Sequence, residues 1–362
     1  MNKKLQIVYV VVSSPKDIYL EQAYVSMCSL KRHNPEAHAI ILTDELTAAT
    51  FTGVRKLETK YADEIVAVKL PENLNGQRRS RILKTSVRKH IKGDFLFIDC
   101  DTIVAKPLDD ILNVDAEIAA CYDSHCVDFK ENPYYKGNVR MGQLIDMPEV
   151  ADEEHYFNTG VIWVRDTELA HRYYENWNAN LLKSVEKKVF MDQPSFSKTD
   201  FEMGHVVKMI PDVWNVELKH GVRFLKDANV VHYLCTNRSR NKERQFFIMN
   251  DMDVITKIKK DAVIPQDVLD TIEDPFCGLA PICHCFAGED IYFFKTQTFQ
   301  FTRNMYDSIL FPYVEWSISK YYGLKRRLSK VKKLLTSVKG GGKQTLEICI
   351  LRAPLEERRA CA

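Results

Sequence analysis

Two carboxylates one residue apart follow a run of large apolar residues in the chain. Residues 95–102 read Phe-Leu-Phe-Ile-Asp-Cys-Asp-Thr, so Asp99 and Asp101 come where an apolar strand ends. Side chains two apart on a strand point the same way, and two neighbouring acids repel each other unless a cation joins them. A turn capped by Asp101 would explain one acid but not both. The pair therefore predicts a hard divalent metal whose open positions phosphate oxygens can fill.

A basic segment upstream and a late histidine offer further partners for this site. Leu83, Val87 and Ile91 form the apolar stripe of a predicted helix, and most of its basic residues are expected on a solvated face. Arg81 is the residue that we expect to reach a phosphate, because guanidinium matches phosphate oxygens bidentately. His232 ends a short apolar strand, where histidine is commonly a core or turn residue, but a neutral imidazole is also a suitable third ligand for Mn²⁺.

The elements around these residues predict an α/β fold. Apolar runs predict strands at 5–13, 38–43, 64–70, 95–100, 116–122, 156–164 and 229–234, and amphipathic patterns predict helices at 17–33, 78–91 and 167–184. This alternation is typical of a mostly parallel sheet with helices on both faces, whose strand ends line one ligand crevice. Residues 124–154 and 190–194 are expected to be loops. Beyond about residue 245 the pattern is irregular and predicts no topology.

Composition excludes several classes of protein. Lys and Arg number 51 against 49 Asp and Glu, so no global charge attracts nucleic acid. No segment approaches the roughly 18–20 apolar residues of a membrane span, and the short N-terminal apolar run is interpreted as a strand rather than a signal peptide. The ten scattered cysteines favour free thiols in a reducing cytosol. Cys277, Cys283, His284 and Cys285 form one cluster, with poor spacing for zinc.

In their order, these motifs resemble the retaining glycosyltransferases of family 8, which share the GT-A fold and use nucleotide sugars. The resemblance covers roughly residues 5–235. It depends on Asp99-Cys100-Asp101 with Pro-Leu-Asp-Asp-Ile-Leu downstream, on Phe157-Asn158-Thr159-Gly160, on Asp192-Gln193 and on His232. It implies a central mostly parallel sheet flanked by helices, with a C-terminal helical appendage, in a bacterial enzyme.

The resemblance also implies a role for each matching residue. Mn²⁺ or Mg²⁺ would be held by Asp99, Asp101 and His232. The donor would be contacted by Ser13 and Tyr19 at its nucleoside, by Arg81, and by the metal motif that includes Cys100. The transferred sugar would be lined by Asn158 and by the candidate catalytic residues Asp123, Asp192 and Gln193. Gln193 would be a poor nucleophile, so attack on the leaving-group face is favoured over a double displacement.

One stretch departs from the family pattern. Members usually follow the late histidine with a Gly and a Lys that reach the diphosphate, whereas residues 233–240 here are Tyr-Leu-Cys-Thr-Asn-Arg-Ser-Arg. Either Arg238 or Arg240 takes over this contact, or the backbone differs. The resemblance favours uridine as the base. The departure at residues 233–240 argues against this choice of base, because the family's Gly and Lys are missing there.

The C-terminal part contains a predicted basic amphipathic helix. Between residues 320 and 339 there are eight Lys or Arg and no acid, and Leu324, Leu328, Val331, Leu335 and Val338 form one stripe. Such a helix, over 316–339, either lies on an anionic membrane surface or docks on the catalytic domain. We expect four segments: a GT-A catalytic domain at 1–245, an irregular or helical extension at 246–312, the basic amphipathic helix at 313–339 and a flexible tail at 340–362.

The expected function is transfer of a sugar from a nucleotide diphosphate donor to a glycan or lipid-linked acceptor, as in lipopolysaccharide or capsule assembly. The expected location is the cytoplasm or the inner face of the cell membrane. One alternative is a haloacid-dehalogenase-like phosphatase using Asp99, Asp101 and Thr102, although a full βαβ unit precedes the motif here. The other is a nucleotide-sugar-binding protein without turnover.

Overall fold

The computed structural model describes residues 5–147, 150, 156–234, 249, 251–278, 293, 295–306 and 308–338. The chain divides into two compact units, residues 1–284 and 285–362. The strands are β1 (Gln6–Val11), β2 (His38–Asp44), β3 (Glu64–Val68), β4 (Phe95–Ile98), β5 (Thr102–Val104), β6 (Ile118–Tyr122), β7 (Phe157–Val164), β8 (Lys208–Met209), β9 (Val216–Glu217) and β10 (Val230–His232). The α-helices are α1 (Tyr19–His33), α2 (Glu45–Ala48), α3 (Val54–Leu57), α4 (Gly76–Thr85), α5 (Val87–His90), α6 (Tyr135–Leu144), α7 (Glu168–Glu186), α8 (Asp192–Glu202), α9 (Met252–Asp261), α10 (Gln266–Glu273), α11 (Gln297–Tyr306) and α12 (Phe311–Val338).

The main sheet has seven described strands in the order β3-β2-β1-β4-β7-β6-β8. All of its neighbours are parallel except β7, which runs antiparallel to both β4 and β6. Because β7 is reversed, its first residues lie at the edge where β1, β4 and β6 end. The predicted α/β class with a mostly parallel sheet is confirmed.

A smaller sheet of three described strands, in the order β5-β10-β9, continues from the end of β4. In the antiparallel pair of β5 and β10, His232 lies opposite Thr102, one residue after the acid pair. In the parallel pair of β9 and β10, His232 lies beside Glu217. This small sheet is therefore what brings a residue from the end of the domain to the acid motif.

The main sheet has a separate hydrophobic core on each face. Ile7, Tyr9 and Val11 of β1 pack with the apolar side of α1, whereas Val8 and Val10 pack with residues of α4, α5 and α7. The alternation follows from the two-residue period of a strand. Helices therefore cover both faces, as predicted.

The two helices α9 and α10 lie in the first unit and pack against the outer side of α1. Val254 and Ile258 of α9 share a core with Tyr24 and Val25 of α1. The sequence predicted only an irregular or helical extension here, without a topology, because short amphipathic helices after an irregular stretch carry little periodic signal.

Three predicted elements differ in the structure. The single helix at 78–91 is broken at Ser86, whose hydroxyl donates to Ile82 O at 2.7 Å and so competes with the helical hydrogen bonds. The predicted loop at 124–154 contains α6, in which Gly142 allows close contact: a Cβ there would lie 2.3 Å from Val150 Cγ1. The predicted loop at 190–194 includes the start of α8.

The second unit contains α11 and α12. The predicted basic helix, as far as residue 338, lies within α12, which begins at Phe311, earlier than expected, and residue 339 is outside the described residues. No helix of the described residues is both long enough and apolar enough to cross a membrane.

Candidate active site

Three potential metal ligands meet where β4 and β10 end. Asp99, Asp101 and His232 each offer one ligand atom, and these atoms all lie within 4.8 Å of one another. His232 Nε2 lies 3.3 Å from Asp101 Oδ1. Two carboxylates and an imidazole are a suitable donor set for Mn²⁺ or Mg²⁺. Both metals prefer oxygen ligands, and Mn²⁺ also accepts a nitrogen ligand. The residues therefore fit the metal that the family resemblance implies.

Neighbouring residues fix the orientation of the His232 ring. Its Nδ1 lies 2.9 Å from Asn215 Oδ1, and donation of the Nδ1 proton to that oxygen leaves Nε2 facing Asp101. The ring also packs on Gly160, where a Cβ would lie only 2.3 Å from His232 Cε1. Burial alone would lower the pKa of His232, but Asp101 and Asp99 raise it above its ordinary value.

A buried lysine joins two of the acids. Lys84 Nζ lies 3.1 Å from Asp99 Oδ1 and 3.0 Å from Asp192 Oδ2, and the side chain is only 3% exposed. The expectation of a solvated basic face is wrong for this residue, and also for Arg88, which donates to the backbone carbonyl of Gly93. Both lie on the inner side of the broken helix, where only a paired or fully hydrogen-bonded cation is stable.

The carboxylate of Asp192 is held from three sides. Arg81 Nη1 lies 2.9 Å from Oδ1, while Lys84 and the hydroxyl of Thr159 reach Oδ2. Burial would raise the pKa of Asp192, but the Arg81 and Lys84 charges lower it below its ordinary value. In contrast, burial raises the pKa of Asp99, with Lys84 opposing that shift. Asp192 is thus a fixed anion beside the metal motif.

A chain of hydrogen bonds connects the predicted sugar-lining residues with the metal ligands. Asn158 Nδ2 donates to Asp123 Oδ1 at 3.0 Å, and Asn215 Nδ2 donates to Asn158 Oδ1 at 3.0 Å. Asn215 in turn contacts His232. The reversed direction of β7 makes this possible, because Asn158 at its start faces the end of β6, which Asp123 follows.

The turn after β6 is fastened to the small sheet. Ser124 and His125 both have φ of +57°, which is uncommon for residues other than glycine. Ser124 N–H donates to Glu217 Oε1 at 3.1 Å, and Glu217 N–H donates to His125 Nε2 at 3.0 Å. These two bonds stabilise the turn that presents Asp123.

The two predicted nucleoside residues lie at either end of the β1–α1 loop, residues 12–18. Ser13 donates its hydroxyl proton to Asp17 Oδ1 at 2.7 Å, and its N–H donates to Thr47 Oγ1 at 3.2 Å. Tyr19 begins α1 and, with Asp192 and the acid pair, raises the pKa of Arg81 against the effect of burial. The structure thus places Tyr19 near Arg81, which in turn contacts Asp192.

The remaining predicted residues have different surroundings. The Cys100 thiol lies 3.4 Å from Val10 O beside the core, and burial raises its pKa well above the ordinary value. Gln193 is half-buried in the first turn of α8. Arg238, Arg240 and the cluster at 283–285 lie outside the described residues. The described cysteines are free, and two of them, at positions 28 and 121, are buried.

Sequence reasoning missed three residues of this site: Lys84, Asn215 and Glu217. Lys84 carried a usable signal, because it lies three and seven residues before the apolar Val87 and Ile91 and so shares their face of the predicted helix. Asn215 and Glu217 lie in a short segment without periodicity, so no local pattern predicts that Asn215 contacts His232 or that Glu217 contacts the turn after β6.

Comparisons with known proteins agree with this arrangement. The model of the nucleotide-diphospho-sugar transferase family matches residues 74–263, more than half of the chain. No curated protein matches.

Several solved structures are similar at low identity. The galactosyltransferase LgtC in complex with donor and acceptor sugar analogs is 16% identical, over 74% of this chain and 99% of that chain, with a TM-score of 0.47. Mouse xyloside xylosyltransferase 1 is 12% identical, over 64% and 97%, with a TM-score of 0.42. The glycosyltransferase GlyE of Streptococcus pneumoniae TIGR4 is 15% identical, over 79% and 67%, with a TM-score of 0.47.

The family match includes both acids of the metal motif, Asn158, Asp192 and His232. The phosphatase alternative has no such support. The chain belongs to the nucleotide-diphospho-sugar transferase family and is a glycosyltransferase of the GT-A fold.

Proposed function

We propose that this glycosyltransferase uses a divalent metal, Mn²⁺ or Mg²⁺, to transfer a sugar from a nucleotide diphosphate donor to a glycan or glycolipid acceptor, with retention of anomeric configuration. UDP-sugar is the favoured donor. The observation that carries the proposal is the meeting of Asp99, Asp101 and His232 beside the Arg81–Asp192–Lys84 cluster. A metal site next to a fixed anion is what a diphosphate leaving group and a sugar with developing positive charge require.

A metal bound by the three ligands would offset the negative charge of the departing diphosphate. The protein's own residues orient the reactants. Arg81 lies beside the acid cluster with its side chain 32% exposed, so it can contact the donor as well as Asp192. Asp123 and Asn158 are hydrogen-bonded to each other, and this fixed polar pair would contact hydroxyl groups of the sugar.

Retention is proposed to follow from attack on the face that the diphosphate leaves. Asp192 is engaged by two cations and a hydroxyl, which makes it a weak nucleophile but a good electrostatic partner for an oxocarbenium-like state. Gln193 is uncharged. The acceptor's proton would pass to the leaving diphosphate oxygen, so that the new glycosidic bond forms as the old one breaks.

The proposal is tested by calorimetric binding of UDP, GDP, ADP and CDP with and without Mn²⁺, followed by mass spectrometry of sugar release from the matching nucleotide sugars. We expect one nucleotide to bind only with Mn²⁺, and Asp101→Ala to abolish that binding. Asp110→Ala is the matched control, because this acid is exposed and nine residues away.

Each outcome has a distinct meaning. Binding without sugar release, even with a panel of glycan acceptors, would favour the binding protein without turnover. Absence of all nucleotide binding, with Mg²⁺-dependent hydrolysis of an aryl phosphate, would favour the phosphatase.

The second unit supports a further part of the proposal, contact with an anionic membrane surface through residues 316–339. Large apolar side chains on α12 are exposed, among them Tyr313, Trp316, Leu324 and Leu328. They share the helix with the basic residues noted above. Apolar groups that enter the lipid interface together with lysines that meet anionic headgroups are the features of a surface-bound helix.

A further inference from the structure

The β1–α1 loop is shaped by side chains from other elements rather than by its own sequence. Residues 13–18 are Ser-Ser-Pro-Lys-Asp-Ile and include no glycine. Loops that approach a phosphate commonly depend on glycine for their conformation. Here Asp17 accepts hydrogen bonds from the Ser13 hydroxyl and from the N–H of Ser14, which tightens one end of the loop.

Two basic side chains from distant elements bind the carbonyl oxygens of this loop. Arg55, in α3, donates to Ser14 O at 3.3 Å. Lys259, in α9, donates to Pro15 O at 2.9 Å and also to Asp17 O. The carbonyl groups of residues 14, 15 and 17 are therefore held by cations that are more than 40 residues away along the chain.

Lys259 is itself held in place. Its ammonium lies 3.5 Å from Oε1 of Glu21, a fully buried carboxylate of α1. Residues on either side of α9 are attached to α1: Gln22 Nε2 donates to Met249 O, three residues before the helix, at 2.9 Å, and Tyr24 OH donates to Ala262 O, directly after it, at 2.7 Å. A cation on so constrained a helix has little freedom, so the loop carbonyls that it binds are fixed as well.

We propose that Lys259 is a positioning residue for nucleotide binding: from α9 it sets the conformation of the β1–α1 loop, and thereby the position of Tyr19 relative to Arg81. The proposal rests on the proposed function, in which this loop borders the nucleoside. It gives α9, a helix that the sequence did not predict, a role in donor affinity. Lys259 contacts backbone rather than donor, so its effect on the chemical step is small.

The test measures donor KM, kcat and nucleotide Kd for Lys259→Met. Loss of two hydrogen bonds from a charged group is expected to raise Kd and KM by about tenfold, with kcat changed less than about twofold. Lys259→Arg keeps the charge and donors and should recover most of the affinity. Lys257→Met and Lys260→Met, at exposed positions of the same helix, are matched controls that should behave as the native chain.

A second variant separates positioning from stability. Lys259→Met leaves Glu21 buried with Arg55 as its remaining cation, at 3.8 Å, so it should also lower the free energy of unfolding. Combining it with Glu21→Gln removes the buried charge and should restore stability while leaving nucleotide affinity weak. If affinity returns together with stability, or if Lys259→Met binds nucleotide as the native chain does, Lys259 has no positioning role. If the native chain binds no nucleotide at all, the proposed function itself is wrong.

Discussion

Lys84 is the residue on which the charge balance of the site depends. Its charge offsets both Asp99, whose side chain is 29% exposed, and the buried Asp192, which Arg81 contacts through the other carboxylate oxygen. Its ammonium lies within hydrogen-bond distance of both acids. A donor diphosphate and metal would add charges of both signs here, so a fixed cation keeps the acids in place before they bind.

We predict that Lys84→Met lowers kcat/KM by about 10²-fold and destabilises the fold by about 2–4 kcal/mol, because a broken buried ion pair leaves uncompensated charge. Urea unfolding and sugar-transfer kinetics measure the two effects. Lys89→Met is the matched control at an exposed position of α5. Unchanged activity in Lys84→Met would show that the acids hold their positions without this cation.

Gly160 is required by a close approach rather than by an unusual backbone conformation. We predict that Gly160→Ala weakens Mn²⁺ binding by about 10- to 100-fold, since the added methyl group would displace the His232 ring that it meets at 2.3 Å. Mn²⁺ binding is followed by electron paramagnetic resonance. The control is Gly137→Ala, a helical position with no atom within 4 Å of the added Cβ. Equal metal affinity in the two variants would exclude His232 as a ligand.

At the scale of elements, the junction of α1, α3 and α9 buries two carboxylates. Glu58 and Glu21 are fully buried, and neither makes a hydrogen bond through its carboxylate within the described part of the chain. Burial and the neighbouring Glu21 raise the pKa of Glu58 to about 7, whereas Arg55 and Lys259 act to lower it. This junction is therefore sensitive to pH near neutrality.

We predict that the contribution of Glu58 to the free energy of unfolding decreases as the pH is raised from 5 to 8. An acid whose pKa is raised in the folded state binds its proton more tightly there, so it favours folding at low pH and loses that contribution as the pH rises through about 7. The loss is on the order of 2–3 kcal/mol. Glu58→Gln cannot ionise and should be more stable than the native chain at pH 8 but not at pH 5. The prediction would be contradicted if the free energies of unfolding of Glu58→Gln and the native chain, measured in urea, changed in parallel with pH.

At the scale of the whole molecule, the site and the exposed basic helix belong to different units. Every residue placed in the site lies within residues 1–284, whereas α12 lies within 285–362. Donor binding and membrane contact should therefore be separable, because each is proposed to depend on the residues of one unit.

We predict that a chain ending at residue 284 keeps Mn²⁺-dependent nucleotide affinity within about threefold, as expected for independent units. The same chain should lose cosedimentation with phosphatidylglycerol vesicles, which the full chain should show at low salt and lose at high salt. Vesicles of neutral phosphatidylcholine serve as the control. Equal sedimentation of the two chains with anionic vesicles would remove α12 from membrane contact.

The sequence by itself determined the local features of this protein. The apolar run before Asp99 specified a buried strand that ends at the acids, and the alternation of strands and helices specified the α/β class, because both depend on periods of two and 3.6 residues. The ordered motifs were enough to indicate the family. Ser86, in contrast, broke a predicted helix through one side-chain hydrogen bond, which periodicity does not register.

The family resemblance grouped Asp123, Asn158 and His232 with the acid motif, but only the tertiary structure decided which contacts bring these residues together. The reversed strand β7 brings Asn158 to Asp123, and the small sheet brings His232 to Asp101, with Asn215 bonded to His232. Lys84 became a buried partner of two acids, and α9 became a support for a loop more than 200 residues away. These contacts depend on strand order and direction, which arise from packing the whole core and leave no pattern in any local stretch of sequence.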